Sequence, residues 1–141
     1  MDKFRISRGL RQGYPLSPLL FNLVAEGLSV LLERAASLGF FHGIKVENDD
    51  TQVTHLQFTD DLIIFYGASA TQVQNVKRVM WCFELAAGLE LNLNKTSLFG
   101  INIEEATLVD LVAKIRVSAA NFPTTYLGLP LGFQWNSLGM W

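Results

Sequence analysis

Two adjacent aspartates, Asp60 and Asp61, stand inside an otherwise apolar stretch, Leu56-Gln57-Phe58-Thr59-Asp60-Asp61-Leu62-Ile63-Ile64-Phe65-Tyr66. Apolar runs of this kind read as buried strand. Ionised carboxylates do not enter such a place without a cation or hydrogen bonds. In an extended strand, neighbouring side chains point to opposite faces. Two adjacent aspartates can therefore serve one site only at a bend, such as a hairpin tip. The pair predicts strands over residues 53–57 and 62–66 around an acidic turn. Such a turn is a natural place to hold a divalent metal by oxygen ligands. The second pair, Asp49-Asp50, lies among Glu47, Asn48 and Thr51. A solvated turn accounts for it fully.

Around this hairpin the punctuation predicts three helices. Ser17-Pro18 suits a helix start, with Ser17 as cap and Pro18 at the first helical position. The helix would run over 18–38 and stop at Gly39. Its apolar residues lie nearly all round, so it should be buried. Residues 40–46 read as a strand. Ser69 opens a second helix, with Gln72 as the return partner of a capping box. Val73, Val76, Met80, Phe83 and Ala87 form its apolar stripe, and Gly88 ends it. Short extended pieces follow over 89–93 and 97–101. Asn102 would cap a third helix, with Glu105 in the reciprocal position and Leu108, Leu111, Val112 and Ile115 as its buried face. Residues 3–8 read as a further strand. The expected class is α+β, an antiparallel hairpin sheet with helices packed on one face.

With 141 residues, half of them apolar and 17% charged, one domain with a real core is expected rather than disorder. No apolar run is long enough to span a bilayer, and no secretory signal opens the chain. The lone Cys82 gives neither a zinc nor a disulfide framework and reads as a buried thiol in an intracellular protein. The formal net charge is −2, without a dense run of Lys and Arg. Any phosphate-binding surface is expected to lie largely elsewhere.

The residues Arg8-Gly9-Leu10-Arg11-Gln12-Gly13-Tyr14-Pro15-Leu16-Ser17-Pro18-Leu19-Leu20-Phe21 closely resemble a signature of LINE-type (non-LTR) retrotransposon reverse transcriptases. Phe58-Thr59-Asp60-Asp61 resembles the family's F-A-D-D catalytic turn. Gly88-Leu89-Glu90-Leu91-Asn92-Leu93-Asn94-Lys95-Thr96 is similar to its G-L-x-x-N-x-x-K-S element. Tyr126-Leu127-Gly128-Leu129-Pro130-Leu131-Gly132 is similar to its Y-L-G-x-P-L-G segment, in a plant-like form. The four stand in the family's order. The resemblance implies a polymerase palm over about residues 5–118, with the start of a palm–thumb junction over 119–141.

The roles it implies are those of an RNA-directed DNA polymerase working on an RNA template, a DNA primer and a deoxynucleoside triphosphate. Asp60 and Asp61 would be the catalytic metal ligands for Mg²⁺ or Mn²⁺, Asp60 directly and Asp61 as ligand or supporting residue. Two such ions sit roughly 3.5–4 Å apart and clamp the attacking and leaving oxygens. Gln12 and Gly13 would lie at the mouth of the nucleotide site. Arg8 and Arg11 would meet template or phosphate, or stand as solvated arginines. Lys95 would sit near the triphosphate, or be a surface lysine. His42 and His55 read as structural or surface residues.

Three departures bear on these roles. Tyr14 stands where the family has Asp, and Thr59 where it has Ala. The Thr59 change is expected to be small, since Thr suits a strand. The family also carries a metal-binding Asp on a strand upstream of the arginine-glycine segment, and only seven residues precede Arg8. The expectation is a truncated polymerase, inactive alone, that lacks an upstream segment. A non-catalytic interaction module, or a retroelement relic without biochemical activity, is the alternative.

Overall fold

The computed structural model describes residues 13–46 and 51–132. The predicted strand over 3–8, the arginine-glycine loop as far as Gln12, and the Asp49-Asp50 turn lie outside these residues. In chain order the elements are α1 (Ser17–Ser37), β1 (Ile44–Lys45), β2 (Gln52–Val53), β3 (His55–Phe58), β4 (Asp61–Ile64), α2 (Ala70–Ala87), β5 (Ser97–Phe99), α3 (Glu105–Ile115), β6 (Ser118–Ala120), β7 (Thr124–Tyr126) and β8 (Leu129–Leu131). The α+β class holds, and among the described residues the antiparallel pairing is divided among small sheets. The strands form four separate pairs, and one of them, β5 with β6, is parallel. A parallel pair needs a crossover, and α3 supplies it.

Helix α1 begins and ends close to where Pro18 and Gly39 place it, with Gly39 at φ +77°. Ser17 does not cap it. Leu16 occupies the cap position in a helical conformation, and the Ser17 hydroxyl is buried without a partner among the described residues. The helix is also not buried all round. Leu28, Leu32 and Ala35 are buried, whereas Leu19 and Leu23 are 65% and 69% exposed. The reason is the side they face: at 3.6 residues per turn Leu19 and Leu23 lie opposite Leu28 and Leu32, whose side packs against α2 and β4.

Helix α2 follows its sequence signals closely. Ser69 Oγ accepts from Gln72 N at 3.2 Å, and Gly88 closes the helix at φ +67°. The return arm of the capping box is absent. Gln72 Oε1 instead accepts from Gly67 N at 3.0 Å and from His42 N at 2.9 Å. Asn75 Nδ2 donates to Phe40 O at 2.9 Å. With these backbone groups taken by α2 side chains, the strand predicted over 40–46 shrinks to β1. Gly43 is required beside it, because an added Cβ would collide with the Val53 carbonyl. Cys82 is exposed rather than buried.

The third helix starts later than predicted. Glu104 is its cap residue and makes no side-chain cap bond, while Asn102 sits at φ +54° outside the helix. Its buried face is the expected one, with Leu111 buried and Leu108, Val112 and Ile115 packed beside it. No strand forms over 89–93. There an Asn92 turn takes over, Lys95 N donating to Asn92 O at 3.0 Å and Asn94 N to Asn92 Oδ1 at 3.1 Å.

Two apolar clusters result. Leu28, Leu32, Ala35, Phe41, Val76, Val79 and Met80 form one, covered by Leu62 and Ile64 of β4. Val73, Leu98 and Leu111 form the other. Tyr66 packs against both, and burial pushes its phenol up to about 12. Among the described residues, no helix is long and apolar enough to cross a membrane.

Candidate metal-binding turn

Strands β3 and β4 pair antiparallel, with His55 opposite Ile64, Leu56 opposite Ile63, Gln57 opposite Leu62 and Phe58 opposite Asp61. Phe65 N donates to Thr54 O at 2.8 Å and extends the pairing. Thr59 and Asp60 are therefore the two residues of a tight turn, as the acidic pair requires. Paired residues share a face. Leu62 and Ile64 enter the core, with Gln57 and His55 beside them. Asp61 lies on the opposite face with Leu56, Phe58 and Ile63. Both aspartates are exposed.

The turn corrects the reading of Thr59. It is not a strand residue but sits at φ +51°, an unusual conformation for a β-branched side chain. Its Oγ1 donates to Asp60 Oδ1 at 3.0 Å, which orients that carboxylate.

A chain of side-chain hydrogen bonds ties the hairpin to α1. Thr54 Oγ1 lies 2.9 Å from His55 Nδ1, His55 Nε2 lies 3.1 Å from Ser29 Oγ, and Ser29 Oγ donates to Gln57 Oε1 at 3.2 Å. Because the Ser29 proton goes to Gln57, Ser29 must accept from His55. The imidazole then carries its proton on Nε2, and Nδ1 accepts from Thr54. His55 is thus structural, as expected. Its partners on α1 were hidden in the sequence, since Ser29 lies on a different element. Beside this chain, Phe21, Asn22, Ala25 and Glu26 of α1 face Gln57 and Thr59 across an open groove of about 240 Å³.

Tyr126 is a neighbour that sequence reasoning missed. Its phenol is raised by desolvation and then by the negative charge of Asp61, so β7 lies near the acidic turn. The only pointer in the sequence was its place in the Y-L-G segment. Gly13 is at φ +82° with open space around it. Lys95 is exposed in the Asn92 turn, and no hydrogen bond or ion pair joins it to the acidic turn among the described residues. Arg8, Arg11 and Gln12 lie outside the described residues.

Two exposed carboxylates are hard oxygen donors suited to a hydrated Mg²⁺, which commonly binds through one or two carboxylates. Among the described residues, no group of three His, Cys, Asp or Glu side chains converges for a metal ion. Among the described residues the donor set fits one hydrated ion and falls short of a two-ion centre.

The profile of the family described as reverse transcriptase (RNA-dependent DNA polymerase) matches residues 2–131. An uncharacterized mitochondrial protein of Arabidopsis thaliana is 54% identical over 55 residues, which is 39% of this chain and 45% of that protein. The Pol polyprotein of the type-2 retrotransposable element R2DM of Drosophila melanogaster is 35% identical over 100 residues, 71% of this chain and 9% of the polyprotein. The Pol polyprotein of the type-1 element R2 of Popillia japonica is 32% identical over 94 residues, 67% of this chain and 12% of the polyprotein. The chain thus spans less than half the length of each of these relatives.

Proposed function

The chain belongs to the reverse transcriptase family, as part of a non-LTR element's polymerase, and from that premise we propose that its β3–β4 hairpin is the catalytic turn of a polymerase palm. The observation that carries this reading is the pair of exposed carboxylates at the tip of a hairpin braced against α1. The palm would occupy about residues 5–118, and residues 119–141 would begin the junction with the thumb.

Asp60, oriented by Thr59, is the direct metal ligand, and Asp61 ligates or supports it. A bound divalent cation supplies charge neutralisation at the triphosphate and activation of the primer 3′-hydroxyl. The RNA template, DNA primer and incoming nucleotide would be met by Arg11, Gln12, Gly13 and Lys95. A complete two-ion centre needs a further carboxylate beyond Asp60 and Asp61. The compartment suggested by the Arabidopsis relative's name is mitochondrial.

The test is Mn²⁺ titration followed by NMR. Selective broadening at residues 59–62, lost in Asp60→Asn, is expected. Absence of broadening at the turn would sink the reading. Any primer extension on an RNA template should vanish in Asp60→Asn; extension that survives the substitution would count against this turn as the catalytic one.

A second reading, a non-catalytic interaction module, is favoured by the exposed apolar half of α1. A stable stoichiometric partner with no metal response at the turn would decide for it.

A further inference from the structure

A second surface, separate from the acidic hairpin, combines cations with an aromatic ring. Gln74, Lys77, Arg78 and Trp81 of α2 line a groove of about 300 Å³ together with Lys114 of α3. Positions 74, 77, 78 and 81 follow the three- and four-residue spacing that stacks side chains on one helix face. Lys114 comes from the last turn of the neighbouring helix. Three of the chain's 11 basic residues therefore meet in one place, although they are dispersed in sequence.

The groups there retain binding capacity. Lys77 Nζ donates to the Lys114 carbonyl at 3.3 Å and Arg78 Nη1 to Asn75 Oδ1 at 3.2 Å. An ammonium has three donors and a guanidinium five, so each keeps N–H groups for a ligand. Lys114 pairs with Asp110, the one acidic partner that the three cations have among the described residues. Trp81 is 60% exposed, although an indole is among the side chains that gain most from burial. A solvated tryptophan beside three cations is the combination that grips a single strand: the ring stacks on a base and the cations meet the phosphates.

We propose that this α2–α3 groove is a contact for single-stranded nucleic acid, distinct from the acidic turn. None of its lining residues belongs to the hairpin or to α1. A stacked base uses Trp81, whereas an acidic peptide would use only the cations. That asymmetry selects nucleic acid.

The measurement is fluorescence anisotropy of a labelled oligouridylate with the full chain at low salt. EDTA is present, so that metal at the acidic turn plays no part and the two readings fail separately. Site sizes for single-strand binders suggest a probe of about a dozen nucleotides. Saturable binding is expected, with Trp81→Ala weakening it about tenfold and Trp81→Phe recovering most of the loss. The double variant Lys77→Gln, Arg78→Gln should reduce the salt slope by about 1.4, at about 0.7 per phosphate contact. Circular dichroism checks that α2 persists in each variant. Binding unchanged in Trp81→Ala would overturn the proposal, as would equal competition by polyglutamate and unlabelled oligouridylate.

Discussion

Two hairpins among the described residues, β3–β4 and β7–β8, turn on two residues each and meet the same backbone demand in different ways. At Leu127-Gly128 both central residues have positive φ, +53° and +78°. That is the pattern of a turn whose twist matches its strands, with glycine in the second place. At Thr59-Asp60 only Thr59 has positive φ, +51°. The Thr59 hydroxyl is bonded to Asp60, and His55, Ser29 and Gln57 lie beneath the turn. A left-handed residue is thus no marker of function in itself. It becomes informative where hydrogen bonds fix it and a chemically active side chain stands beside it.

The sharpest way to break this contrast is metal binding. Asp60→Asn should weaken Mn²⁺ at the turn about 10- to 100-fold, the scale of losing groups around a metal site. Leu127→Asn should leave it unchanged. Relaxation enhancement of water protons reads both.

A pH test separates the tyrosine after β4 from the hairpin tips. Tyr66 is raised by burial to about 12 from an ordinary value of 10.0. Above pH 10 the unfolded chain loses this proton while the folded chain keeps it. The associated stability is present below pH 10 and falls as pH rises toward 12, by roughly 1.4 kcal/mol per unit. Urea melts across this window should show the decline, and Tyr66→Phe should flatten it.

Ser29→Ala tests whether the support under β3–β4 matters. It strands His55 and Gln57 and should cost about 1–2 kcal/mol in urea unfolding. The smallest effects lie at the turns themselves. Leu127→Asn should stabilise by about 1 kcal/mol, since Asn tolerates the left-handed region. Thr59→Asn should gain less, because it gives up the bond to Asp60. Equal gains in urea midpoint would show that the Thr59–Asp60 bond contributes nothing.

What could be read without the structure was local. Ser69 and Gly88 delimit α2 through caps formed within a few residues, and the acidic pair places the turn by strand alternation alone. What could not be read depends on neighbours distant in sequence. Gln72 has two competing acceptor uses, and the geometry of Gly67 and His42 decides between them. Leu19 and Leu23 lie on the face of α1 opposite Leu28 and Leu32, and only the packing of α2 and β4 decides which of the two apolar faces is buried. Lys114 joins Lys77 and Arg78 only through helix packing. Thr59 was misjudged because β propensity describes strands, and the residue proved to be in the turn.

Helix α2 supplies Val73 to one apolar cluster and Val76, Val79 and Met80 to the other, while every antiparallel pair joins strands close in sequence. Among the described residues no sheet joins the two clusters, so coupling between them passes through α2 and through Tyr66, which packs against both. Amide hydrogen exchange should then be slowest in the middle of α2. The exposed Thr59-Asp60 tip of the acidic hairpin, outside both clusters, should open in smaller excursions that leave Leu62 and Ile64 packed. The segment that would carry the chemistry can thus rearrange around a metal or substrate without unfolding the body that holds it.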